Sequence, residues 1–218
     1  MMNGALHHAV PLCCDQKPML DIIDITLLQK LVWTDYRLAL LFAVLMPLVL
    51  LIWAFVQKAE TIHHLLMIYW KVSSLLAITV YLMIGGFAIS FVSSLMARVL
   101  IPTGLWFWLD LNEELIEQPS NPLKLAFTSW RWAITIYMTL GAIVQINFLP
   151  CAFSQATFSS PQCQTWLEAP LLYKDYFHAN SAHGFLGFLG IAGLVVYVIY
   201  LGYFVLIRLG KQGRSATH

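Results

Sequence analysis

Four stretches of the chain, Leu38–Val56, Val72–Met96, Trp132–Leu149 and Phe185–Ile207, contain no Asp, Glu, Lys, Arg or His and are nearly all apolar. A hydrocarbon slab about 30 Å thick takes roughly 20 helical residues to cross. Backbone amides in lipid must be bonded within their own segment, so each run reads as a membrane-spanning helix. The expected fold is all-α: a polytopic membrane protein with four transmembrane helices and additional interfacial helices.

Composition agrees with that class. Of 218 residues 60% are hydrophobic and only 11% charged, too few charges for an ordinary soluble domain. A formal net charge of +1 with no Lys/Arg cluster argues against nucleic acid as a partner. The opening MMNGALHHAVPLCCDQKPML has no basic segment, no continuous apolar segment and no small-residue cleavage site, so the first span is expected to act as its own insertion signal.

With four spans, the N-terminal tail, second loop and C-terminal tail carry nine Lys and Arg, against three in the first and third loops. The positive-inside rule then places both termini in the cytoplasm. Residues 1–30 read as a cytoplasmic tail: residues 1–17 have no helical period, and a short amphipathic helix follows from Leu20. Residues 31–218 read as one transmembrane domain whose cytoplasmic loop covers 97–131. In that loop, Val99–Leu109 is too short to cross and is expected to lie in the interface. Pro47 near the middle of the first span is expected to kink it.

The third loop, assigned to the outer side, holds Cys151 and Cys163. A disulfide there persists in an oxidising compartment. It would close a loop of 13 residues, contributing about 3 kcal/mol; the alternative is two buried free thiols. Cys13 and Cys14 fall in the cytoplasmic tail.

Chemistry-bearing residues are sparse. His63, His64, His178 and His183 are all assigned to the outer face, where neutral imidazole can ligate haem iron, the magnesium of chlorophyll-type pigments or a transition metal. No two have the i, i+3 or i+4 spacing of a one-face pair, and nothing completes a zinc pattern; interfacial hydrogen bonding is the competing reading. Small residues recur as Gly86, Ser90 and Ser94 in the second span and as Gly184, Gly187, Gly190 and Gly193 in the fourth. Such stripes admit close packing of a neighbouring helix, or of a flat cofactor. Glu113, Glu114 and Glu117 read as a solvated acidic face. The absence of ionisable groups from the four runs argues against an ion-coupled transporter, and there is no phosphate loop, HExxH or GxSxG.

The segments LVWTDYRLALLF (31–42), LWFWLDLNEE (105–114), FTSWRWAI (127–134) and RLGKQGRSA (208–216) resemble an uncharacterised family of small integral membrane proteins of cyanobacteria, of unknown function. The resemblance implies a thylakoid or plasma membrane location near photosynthetic or respiratory complexes, and no catalytic residue. The expectation is a non-enzymatic auxiliary or assembly factor, in the lipid bilayer, that binds other membrane proteins. The alternative is a tetrapyrrole-, pigment- or metal-binding redox protein using the outer histidines, with haem or chlorophyll as cofactor. A small transporter ranks third.

Overall fold

The computed structural model describes residues 25–208, and the described residues are helical and contain no strand. The expected tail over 1–17 and the start of the amphipathic helix at Leu20 lie outside the described residues.

The first long helix begins well before the charge-free run. Helix α1 (Ile25–Ala39) continues through a π-helical segment, Leu40–Leu45, into α2 (Met46–Val56). The expected Pro47 perturbation takes this form. Pro47 stands in the first turn of α2, and it cannot donate to the carbonyl four residues back, that of Ala43. The Tyr69 hydroxyl donates to this carbonyl at 2.6 Å, and the Trp130 indole N–H donates to the adjacent Phe42 carbonyl at 2.9 Å. Two side chains thus satisfy backbone groups that lipid could not.

Lys58, with a positive φ of 54°, turns the chain into α3 (Glu60–Ile84). The chain then reverses at Gly85–Ala88, with Gly86 at a left-handed φ of 69°. Helix α4 (Ile89–Trp106) runs back along α3, and Thr79 and Ser93 share a 2.7 Å hydrogen bond across the seam. The short α5 (Leu109–Glu117) leads to α6 (Pro122–Ile146), capped by the Asn121 side chain accepting from the Lys124 N–H at 2.7 Å. Three helices, α7 (Pro150–Phe153), α8 (Gln155–Phe158) and α9 (Pro161–Phe177), cap one end of the bundle. Helix α10 (His183–Tyr203) then runs the length of α3 and ends in a π-helical turn, Phe204–Arg208.

Four helices are long and apolar enough to cross a membrane: Ile25–Val56, Glu60–Ile84, Ile89–Trp106 and His183–Ile207. They differ from the four expected ones. The expected second span, Val72–Met96, is the end of α3, a Gly-Gly turn and the start of α4. The expected interfacial segment Val99–Leu109 is mostly the second half of α4, so residues 97–131 do not form one loop. The expected third span lies within α6, a helix of 25 residues that packs on α2 and α4 and carries Arg131 in its interior.

Five through-running helices place the described chain ends apart. Ile25 belongs to the end closed by α9, where Gln29 donates to Glu168 at 2.8 Å. Phe204 packs edge-on against Trp108 at the other end, where Thr61 donates to Glu114 on α5. Four of these five helices are the ones long and apolar enough to cross a membrane, and α6 is the fifth to run the length of the bundle.

Two apolar clusters hold the ends. At the α5 end Leu65, Leu66, Tyr69, Ile101, Leu105, Phe127 and Trp130 are buried together; at the α9 end Leu28, Val32, Phe91, Phe148, Phe158 and Trp166 are. The second cluster contains the Cys151–Cys163 disulfide, with a Cα–Cα distance of 6.0 Å.

Candidate functional site: an ion pair inside the bundle

Between the two clusters, helices α1, α4 and α6 meet around charge. Asp35 lies on the third turn of α1, and Arg98 is the tenth residue of the 18-residue α4, so it sits about 14 Å along a helix of about 27 Å. Arg98 donates twice to the Asp35 carboxylate, from Nη2 at 2.5 Å and Nη1 at 3.3 Å. Tyr137 on α6 donates its hydroxyl toward Asp35, 2.8 Å from Oδ1 and 2.9 Å from the backbone oxygen. Gly141, one turn further along α6, is glycine for a visible reason: a Cβ there would overlap Arg98 Nη1.

The ion pair is buried, with side-chain exposures of 7% for Arg98 and 20% for Asp35. Removing two ions from water costs several kcal/mol each, and only good geometry with further hydrogen bonds offsets that cost. The bidentate fork, the Tyr137 hydroxyl and the space left by Gly141 supply such geometry. Tyr36, next in sequence, faces α9 instead. Its hydroxyl lies 3.1 Å from Met83 Sδ and 3.3 Å from the Trp166 carbonyl. That carbonyl is the one Pro170 inside α9 cannot use, so the proline and the tyrosine together fasten the cap to α1.

A second polar knot lies toward the α5 end. The Arg131 guanidinium sits 3.9 Å from the Trp106 ring centroid and donates to Asn112 Oδ1. Asn112 donates to the Trp108 carbonyl at 2.6 Å, and Trp106 Nε1 donates to Thr135 at 2.9 Å. Here a cation–π contact and a network of side-chain amides hold α4, α5 and α6 together. Two further buried residues between α4 and the α9 end, Ser90 and Gln145, have side-chain polar atoms with no hydrogen-bond partner among the described residues.

These charges overturn the expectation of ion-free spans. The charge-free runs do not coincide with the helices, so Asp35, Arg98 and Arg131 lie in helix interiors that the runs omitted. The signal was available: Asp35 sits in LVWTDYRLAL and Arg98 in SLMARVLIP, each flanked by apolar residues on both sides, and the Gly85-Gly86 dipeptide is a turn signal.

The expected histidine set does not assemble. His63 and His64 are in the first turn of α3, near α5, whereas His178 and His183 follow α9 at the opposite end. His178 is half-buried, 3.4 Å from the Tyr81 hydroxyl; His64 and His183 are exposed. No group of three His, Cys, Asp or Glu among the described residues is placed to hold a metal.

The small residues divide likewise. Gly86 is in the turn, not on a helix face with Ser90 and Ser94, which are buried on α4. Gly187 and Gly190 are buried where α10 meets α3: a Cβ on Gly187 would lie 2.9 Å from Gly85 Cα, and one on Gly190 2.9 Å from the Leu82 nitrogen. A Cβ on Gly193 would lie 3.2 Å from Ile78 Cγ1, and Gly184 has open space beside it. Glu114 of the acidic face accepts from Thr61, while Glu113 and Glu117 are exposed.

Long apolar helices packed around a buried ion pair define, by length and composition, a multi-pass helical membrane protein. Residues 29–217 match the family described as "Protein of unknown function (DUF3177)", and the chain belongs to that family. No curated protein and no solved structure matches the chain.

Proposed function

We propose that the protein is a non-enzymatic auxiliary or assembly factor that binds other membrane proteins, and that α10 is the helix it offers them. The observation that carries this reading is the edge position of α10. It lies against α3 through Gly187 and Gly190, and it is the least buried of the four long apolar helices. Phe188, Val196, Val198 and Ile199 cover its outward side. The Asp35–Arg98–Tyr137 triad supports a rigid bundle behind that helix. Two Arg98 nitrogens and the Tyr137 hydroxyl converge on the one carboxylate, as a structural clamp requires, while Arg98 Nε is buried without a partner among the described residues.

Orientation follows from charge and redox chemistry together. Lys58, Lys124 and Arg208 are at the α5 end, and Lys211 and Arg214 follow in sequence; Lys30 and Lys174 are at the end that holds the disulfide, and Lys17 precedes in sequence. The positive-inside rule and the oxidising requirement of a disulfide agree on a cytoplasmic α5 end and an outer α9 end. The family resemblance favours a cyanobacterial thylakoid or plasma membrane.

The test is photo-crosslinking in the native membrane from positions 188, 196 and 199, with the buried position 186 as control. Adducts to another membrane protein are expected from the three outward positions and not from 186. A monomer without adducts or co-purifying partner in several mild detergents would overturn the proposal. The cofactor alternative now rests on single histidines, His178 foremost because it is half-buried between the Tyr81 and Tyr173 rings. A visible absorption band in the purified protein, lost in His178→Leu, would establish it.

A further inference from the structure

A cleft of about 330 Å³ opens between α3, α4 and α10 at the α5 end. Its size falls in the range of small-molecule sites, about 300–1,000 Å³. Apolar and aromatic side chains form most of the wall, among them Leu100, Trp108, Leu201 and Phe204, and its titratable residues other than tyrosine are His64 and Lys71. No Asp or Glu among the described residues lines it. Lys71 is exposed on α3 at a defined depth: its neighbour Val72 packs on Gly104 near the end of α4 and accepts from the Tyr197 hydroxyl of α10 at 3.3 Å. Thus His64 stands near the start of α3 and Lys71 two turns further in, at mid-length of α3 and level with the end of α4, both on the wall of an apolar trough.

We infer that this cleft is a binding site for an anionic glycerophospholipid, with the headgroup phosphate at Lys71 and His64 and one acyl chain laid between α4 and α10 along Leu201 and Phe204. Three features select that ligand. A lysine on a lipid-facing helix, with no ion pair among the described residues, extends toward the headgroups and attracts anionic ones. A wall of apolar and aromatic residues takes a chain and not a free ion. Tyr200, exposed where it borders the cleft, is a residue type that anchors at the depth where headgroup meets chain. Lys71, Tyr197 and Tyr200 also border a shallower furrow on the other flank of α10, with Ser74, so the same ammonium is within reach of a lipid on either side of that helix. The inference stands independently of partner docking, because it uses only the chain's own cleft.

The experiment is native mass spectrometry of the full chain, purified in mild detergent and offered phosphatidylglycerol or phosphatidylcholine with identical acyl chains. The expected result is retention of one phosphatidylglycerol in preference to phosphatidylcholine. Lys71→Gln should lower that preference about fivefold, one lysine's share of headgroup attraction, while Lys71→Arg retains it and Lys58→Gln, outside the cleft, leaves it unchanged. Leu201→Trp, which fills the trough and keeps the ammonium, should expel both lipids. Equal retention of the two headgroups, an unaffected Lys71→Gln, or displacement of the lipid by millimolar inorganic phosphate would each overturn the inference.

Discussion

Replacing Asp35 by leucine isolates what the buried ion pair does. Arg98 is 7% exposed and its guanidinium faces Asp35 through two nitrogens, so the variant leaves a cation between α1, α4 and α6 without its counterion. Breaking a buried pair from one side costs about 3–5 kcal/mol. Because the carboxylate is itself one-fifth exposed, the lower end applies, about 3 kcal/mol. Tyr137 keeps one acceptor, the Asp35 backbone oxygen at 2.9 Å, so its hydroxyl adds little to the loss. The double variant Asp35→Leu/Arg98→Met removes both charges and their desolvation together, and should lie within about 1 kcal/mol of the parent. Reversible unfolding in mixed micelles, followed by tryptophan fluorescence, measures all three. A single-variant loss below about 1 kcal/mol, or a double variant no more stable than the single ones, would refute the clamp.

Three other perturbations probe the seams. Gly187→Leu should displace α10 from α3 and lower the melting temperature, whereas Gly184→Leu, with nothing within 4 Å, should not; equal effects would contradict the described packing. Tyr69→Phe strips the Ala43 carbonyl of its donor and should cost about 1–3 kcal/mol, against no measurable loss for Tyr203→Phe on the outer surface of α10; chemical denaturation distinguishes them. Cys151→Ser should cost about 3 kcal/mol and loosen α7–α9, seen as faster proteolysis near Gln155, while the parent protein shows a Cys151–Cys163 crosslink by non-reducing peptide mapping.

Much of this architecture is written locally. Apolar runs without charge announce helices in a membrane, and the spacing of Cys151 and Cys163 announces a staple, because both signals are carried by neighbouring residues. What the runs obscure is where helices begin and end. A hydropathy run stops at the first charge, but a helix does not stop there if a partner on another helix neutralises it. Asp35 and Arg98 are 63 residues apart, and neither alone distinguishes a tail or loop from a span. The Gly85-Gly86 reversal was masked in the other direction, since the apolar run continues through the turn without interruption. That one turn adds a traverse of the bundle, and moves the segments before it, the start of α1 and the α2–α3 turn, to the ends opposite to those expected. The histidines show the consequence: four residues expected on one face stand two by two at opposite ends.

The odd number of traverses is therefore the claim on which orientation, site depth and lipid placement all depend. It is tested most directly by single cysteines introduced at Lys58 and at Asn180, with Cys13 and Cys14 replaced by serine, labelled in sealed membranes with an impermeant maleimide. The structure places Lys58 in the α2–α3 turn and Asn180 between α9 and α10, at opposite ends of the bundle. Labelling of Asn180→Cys from outside, and of Lys58→Cys only after the membrane is opened, is the predicted result. Reaction of both from the same side would mean that residues 72–96 cross as a single span, and would contradict the account.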